Sequence, residues 1–175
     1  MYISNMKRLS SIFFAFGLSF LSSCVEFGGQ PEPTTLYKPV LMDRSSLERS
    51  ILWKPATDIK IPGKIYFKDN YILVSERYLG VHLIDNTDPK NPVKKGYISV
   101  PGCVDMAMKD NILYVDNAVD LVAIDISQIA TGQIAVKKRV KDTFPELMPP
   151  DGLSIPYKYS TENRPKNSVI VNWSK

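Results

Sequence analysis

Four aspartates, Asp105, Asp116, Asp120 and Asp125, fall within one stretch of the chain. Two carboxylates brought together at strand ends can act as general acid and general base, the chemistry of a hydrolase or a lyase. The same residues at turns only keep those turns soluble, and both readings stand at this level. His82 is the only histidine and sits in the apolar run Val81-His82-Leu83-Ile84, where a hydrogen-bonded core or edge residue is expected. Asp85-Asn86-Thr87-Asp88 is an acidic turn. A calcium loop needs more oxygen ligands and a glycine at its bend, so an Asx-turn is expected here. No Gly-x-Ser-x-Gly, no Cys/His metal spacing and no phosphate-cradling glycine loop occurs. No catalytic residue, metal ligand or cofactor is therefore assigned. Arg77, Tyr78, Tyr157, Tyr159, Arg164 and Trp173 form a candidate binding surface, because Arg, Tyr and Trp anchor interfaces. Ordinary packing and cation–π shielding account for them equally well.

The amino-terminal residues have a different character. Lys7 and Arg8 are the only charges before Leu9–Phe20, an uncharged run shorter than the roughly 20 residues a spanning helix needs. A basic flank followed by a short apolar core is the pattern of a secretory signal peptide. Leu21-Ser22-Ser23-Cys24 resembles a bacterial lipobox: an aliphatic residue, two small residues, then cysteine. The resemblance implies a signal peptide over residues 1–23, cleavage before Cys24, and diacylglycerol on its sulfur. The partner so implied is a lipid bilayer, reached through acylated Cys24. Several acyl chains anchor far more firmly than one, at about 0.8 kcal/mol per buried methylene. By resemblance to the sorting rules of some Gram-negative bacteria, Val25 in place of an aspartate does not signal inner-membrane retention. The implied address is the cell envelope, at the outer membrane.

Cleavage would leave about 152 residues with a net charge near +2, enough for one domain with a modest core. Lys94-Lys95 and Lys137-Lys138-Arg139 are too short to track a phosphate backbone, so nucleic acid is not an expected partner. With Cys24 acylated, Cys103 has no thiol to pair with, and it is expected as a small buried apolar residue.

Residues 24–35 hold glycine, proline and polar side chains and read as a tether, leaving 36–175 as a single β-rich domain. Ser45-Ser46-Leu47-Glu48 offers a capping box with Ser45 as N-cap, so a short helix is expected there. The chain then repeats itself, over about 61–99 and 100–140. Pro62-Gly63 recurs as Pro101-Gly102, Lys68-Asp69-Asn70 as Lys109-Asp110-Asn111, and Ile84-Asp85 as Ile124-Asp125, at offsets of 39, 41 and 40. A period near 40 with four strand-like segments matches one propeller blade. Tyr71-Ile72-Leu73-Val74, Val81-His82-Leu83-Ile84-Asp85 and Leu121-Val122-Ala123-Ile124-Asp125 resemble the LVIVD repeat of bacterial and archaeal cell-surface proteins. The resemblance implies a β-propeller-like fold and no assigned activity.

The expected fold is all-β. It comprises two propeller-blade-like four-stranded repeats, one short N-terminal helix and a C-terminal strand, and it is not a closed propeller, which needs at least four blades. An open pair leaves unpaired edges and uncovered faces. The helix, the five-proline segment 142–166, or a second copy of the chain would cover them. Ser168–Trp173 is expected as a last strand paired back onto an early one. Two functions fit: a non-catalytic envelope lipoprotein that binds or scaffolds an envelope protein or glycan, or an envelope hydrolase or lyase using Asp105, Asp116 and Asp120.

Overall fold

Each repeat folds as an antiparallel meander, as its alternation of apolar runs and turn residues requires. A computed structural model describes residues 34–175, so the signal peptide, Cys24 and all but the end of the tether lie outside the described residues. The chain enters through β1 (Lys38–Asp43), a one-turn helix α1 (Arg44–Glu48) and β2 (Leu52–Lys54). The first repeat supplies β3 (Pro62–Lys68), β4 (Tyr71–Glu76), β5 (Gly80–Asp85) and β6 (Val93–Ser99). The second supplies β7 (Met106–Lys109), β8 (Ile112–Asn117), β9 (Asp120–Asp125) and β10 (Ala135–Val140), and β11 (Ser168–Ser174) ends the chain. The sheets are ordered β2-β6-β5-β4-β3, β10-β9-β8-β7 and β1-β11, and none closes into a barrel or propeller. The segment between β10 and β11 holds only a short 3-10 turn at Tyr157–Tyr159, as its prolines led one to expect.

The repeats share hydrogen bonds as well as sequence. Asp69 and Asp110 open the two β-hairpin turns with φ of 52° and 53°, a left-handed backbone that aspartate tolerates. The Asn86 N–H donates to the Asn70 carbonyl (2.7 Å), and the Ile126 N–H donates likewise to Asn111 (2.9 Å). Asp85 accepts from the Thr87 N–H at 3.0 Å and Asp125 from Ser127 at 2.9 Å, so both acids close Asx-turns.

The two repeat sheets pack face to face. Side chains directly opposite one another on antiparallel strands share a face, so the register fixes what each sheet presents. Leu73 faces Leu83, and Ser75, Val81 and Ile98 form the next row. Leu73, Val81, Leu83 and Ile98 meet Met106, Leu113, Val115, Val122 and Ile124 of the second sheet in one buried cluster, which also takes in Cys103. Among the described residues Cys103 is a free, fully buried thiol, the small buried apolar residue expected. The other face of the first sheet carries Ile65, Phe67, Ile72, Val74, His82 and Ile84. Because β2 and β3 lie at opposite edges, residues 55–61 must cross that face as a strap, held by the Lys94–Asp58 ion pair (2.6 Å) and by Glu76.

β2 was not anticipated; three residues are too few to show alternation. Trp53 explains its place, since it lies over Gly96 of β6, where an added Cβ would come within 2.0 Å of the indole. The helix is present, but its N-cap is Asp43 rather than Ser45. The Asp43 carboxylate accepts from the Ser46 N–H (3.0 Å), and the Ser45 hydroxyl donates to it (2.6 Å) instead of capping the helix itself. Glu48 does not reach back to a cap; it pairs with Arg44 and Lys141. β11 pairs with β1 antiparallel, giving the last strand its early partner.

Gly96→Ala drives a methyl into the Trp53 ring, and overpacking of this kind costs roughly 1–3 kcal/mol. Thermal denaturation should show a lowered midpoint for Gly96→Ala, and an unchanged midpoint would mean that Trp53 does not clamp β2 onto β6.

Candidate functional site

The six residues of the expected binding surface do not form one exposed surface. Arg77 and Tyr157 are exposed and Tyr159 is half-buried, but Tyr78, Arg164 and Trp173 are buried. Tyr78 and Trp173 share a core cluster with Ile170, and the Trp173 Nε1 donates to the Leu147 carbonyl at 3.0 Å. The Arg164 guanidinium donates to Glu146. Arg77 lies over the Tyr78 ring and Lys158 over the Tyr159 ring, each 4.9 Å from the centroid. Three of the six, Tyr78, Arg164 and Trp173, therefore fix the loop 144–152 and the small β1-β11 sheet against the repeats, which is the packing alternative.

That loop forms one wall of a cleft of about 720 Å3. The floor is the outer face of the second sheet, with Ala107, Tyr114 and Leu121. The loop contributes Phe144, Leu147, Met148 and Pro149 to its wall, and Lys64 and Arg77 approach from the first repeat. Ala107 faces Tyr114 across the β7–β8 ladder, and Leu121 faces Asp116 across β8–β9. The lining is mainly apolar with a few charges, the composition of a binding cleft.

Two of the candidate acids reach this cleft. Asp116 accepts from the Val104 N–H (2.9 Å) and the Asp105 N–H (2.8 Å), so it caps the entry into β7. Burial raises its pKa above the usual carboxylate value, more than those hydrogen bonds lower it. The Asp105 carboxylate forms an ion pair with Lys64 at 2.7 Å. Cys103 lies behind them, and burial together with the Asp116 charge pushes its thiol well up, so it is no nucleophile. In the first repeat Ser75 occupies the place of Asp116 and accepts from the Lys64 N–H at 2.8 Å. A cap at this position belongs to the repeat.

Asp120 stands apart from the cleft. It is fully buried between Arg44 Nη2 and Arg139 Nη1, each at 2.7 Å, and accepts from the Asp142 N–H. Arg139 also donates to Asn117 at 2.8 Å. The carboxylate thus ties α1, β9 and β10 together, and breaking such a buried pair from one side costs about 3–5 kcal/mol.

Sequence reasoning placed His82 as a hydrogen-bonded core or edge residue but missed the polar cluster it forms with Glu76. Glu76 and His82 are both buried, with His82 Nε2 and Glu76 Oε2 2.6 Å apart. An ionised carboxylate can only accept, so the ring nitrogen carries the proton. Glu76 Oε1 accepts from the Lys60 N–H (2.7 Å) and the Ile61 N–H (3.2 Å), which fastens the strap. The Tyr97 ring tilts against His82 at 4.7 Å. Burial and the Glu76 charge raise the Tyr97 pKa. The available signal was the register: a turn at Arg77–Leu79 sets Glu76 opposite Gly80, diagonal to His82 on the same face.

Among the described residues, no group of three or more His, Cys, Asp or Glu side chains is placed to hold a metal ion, and no helix is long and apolar enough to cross a membrane. No protein-family model, curated protein or solved structure matches this chain.

Burial alone would raise the Glu76 pKa, but the hydrogen bonds from His82 and from the Lys60 and Ile61 amides outweigh it and hold the value below the ordinary 4.5. A depressed folded value means that the interaction stabilises the fold fully above 4.5 and is lost as pH falls through the folded value. Denaturation followed from neutral pH downward should show Glu76→Gln less stable at neutrality and less steeply weakened by acid than the parent chain. Parallel pH profiles would show that Glu76 does not hold the strap.

Proposed function

We propose that this chain is a lipid-anchored, non-catalytic binding or scaffold module of a bacterial cell envelope, with the cleft on the second sheet as its binding surface. The observation that carries the reading is the commitment of the candidate acids. Asp120 is spent on two arginines, Asp105 on Lys64, and Asp116 on the backbone entering β7. What remains around the cleft is aromatic and aliphatic surface, suited to binding rather than turnover. The lipobox-like Leu21-Ser22-Ser23-Cys24 supports the anchor and the outer-membrane address. The resemblance to LVIVD repeats supports a cell-surface setting. An envelope protein or glycan is the class of partner proposed, and neither cofactor nor nucleic acid enters.

One observation favours a second reading, an envelope hydrolase or lyase. Asp105 and Asp116 adjoin at the cleft, and burial raises the Asp116 pKa. Adjoining carboxylates in unlike environments, one half-buried and one exposed, are a common basis of acid–base chemistry.

Two measurements test these readings. Cys24→Ala should move the chain from the membrane fraction to the soluble one while its melting curve stays that of the parent; retention in the membranes would overturn the anchor. Asp116→Asn should alter stability and reveal no activity to lose on a panel of envelope glycans and peptides. Turnover by the parent chain that vanishes in Asp116→Asn, at unchanged stability, would establish the enzyme instead.

A further inference from the structure

The two outer faces of the molecule are built from the same repeat positions as its interior. Through β3 and β4 the repeat offset is 41, and through β5 it is 40. Ile65, Phe67, Ile72, Val74, His82 and Ile84 of the first sheet thus correspond to Met106, Met108, Leu113, Val115, Val122 and Ile124 of the second. In the second sheet that set packs on the first sheet in the central core. In the first sheet the strap covers part of the set, while Ile65 (57 % exposed) and Phe67 (73 % exposed) stand in solvent. The converse holds on the far side. Tyr66, Leu73 and Val81 of the first sheet pack on the second, and their counterparts Ala107, Tyr114 and Leu121 floor the cleft.

We infer that the cleft receives β3 of a second copy of this chain, with Ile65 and Phe67 entering over Ala107, Tyr114 and Leu121. The inference rests on the reading of the cleft as a binding surface and names its occupant. The contact repeats between chains the packing that already joins the two repeats within one chain, where Met106 and Met108 take the places of Ile65 and Phe67. That continuity singles out a second copy over any other partner. Exposed Ile65 and Phe67 on a single sheet face are also the kind of apolar surface that marks an interaction site. The contact is head-to-tail, so donor and acceptor surfaces differ and each copy offers one of each. Such contacts form rings where the rotation closes. Two copies would bring together four repeat sheets, the smallest number found in a propeller.

Phe67 and Ala107 are both exposed, so Phe67→Asp and Ala107→Arg spoil the donor and the acceptor without disturbing the interior. Light scattering on the full chain in mild detergent should give the mass of two or more chains for the parent and of one chain for either variant. A mixture of the two variants retains one intact donor and one intact acceptor, and should form a one-to-one pair. A monomeric parent, an assembly that survives either substitution, or a mixture that stays monomeric would each overturn the inference. Membrane release by Cys24→Ala does not involve these positions, so self-assembly and the anchored-module reading fail separately.

Discussion

The whole molecule depends on one surface, the apolar plane shared by the two repeat sheets. Leu73, Val81, Leu83 and Ile98 have no other element to cover them, and neither do Leu113, Val115, Val122 and Ile124. A five-stranded and a four-stranded sheet, each with an apolar face, expose to water the surface whose burial drives folding, and stacking is how repeat units supply one another's core. Everything else in the fold is arranged around keeping that plane closed. Trp53 extends it at the β2 edge, packing against Gly96 and Gly132, and Cys103 fills it at the connection between repeats.

Around that plane the charged residues act as fasteners. Each repeat ties the start of its first strand to the end of its second, through Ser75 in one and Asp116 in the other. Glu76 and His82 hold the strap across the first sheet, and Asp120 with Arg44 and Arg139 holds α1 and β10 to the second. A carboxylate held by backbone amides, as Asp116 is, or buried between arginines, as Asp120 is, is poorly placed to move a proton to a substrate. That is what favours the proposed binding module over an enzyme. On that proposal, recognition would work through shape and apolar contact at the cleft beneath the proline-rich loop.

What was legible in the sequence was local or periodic. The strand runs, the Asp-Asn hairpins and the Asx-turns depend on neighbours a few residues away, and the repeat made them visible twice. Ser168–Trp173 could be read as a strand because its apolar run Val169-Ile170-Val171 is wholly β-branched. Its partner β1 was harder, since Lys38–Asp43 is a strand only by virtue of β11 at the other end of the chain. The helix was anticipated on the wrong cap because two hydroxyls and a carboxylate compete at Asp43, Ser45 and Ser46, and the carboxylate is the stronger acceptor. The binding surface was misjudged for a different reason. Tyr, Trp and Arg enrich interfaces between proteins, and equally the seams between segments of one protein. Tyr78, Arg164 and Trp173 serve such a seam. Glu76 escaped notice because its value lies in what the strap brings to it.

Native-state hydrogen exchange on the full chain is the most direct test of the shared plane. If the two sheets owe their stability to one another, the slowest amides of β4 and β5 and those of β8 and β9 will exchange with a single common free energy, that of global unfolding. Amides of β8 and β9 that stay protected while β4 and β5 open at a lower free energy would show two independent sheets and contradict the account.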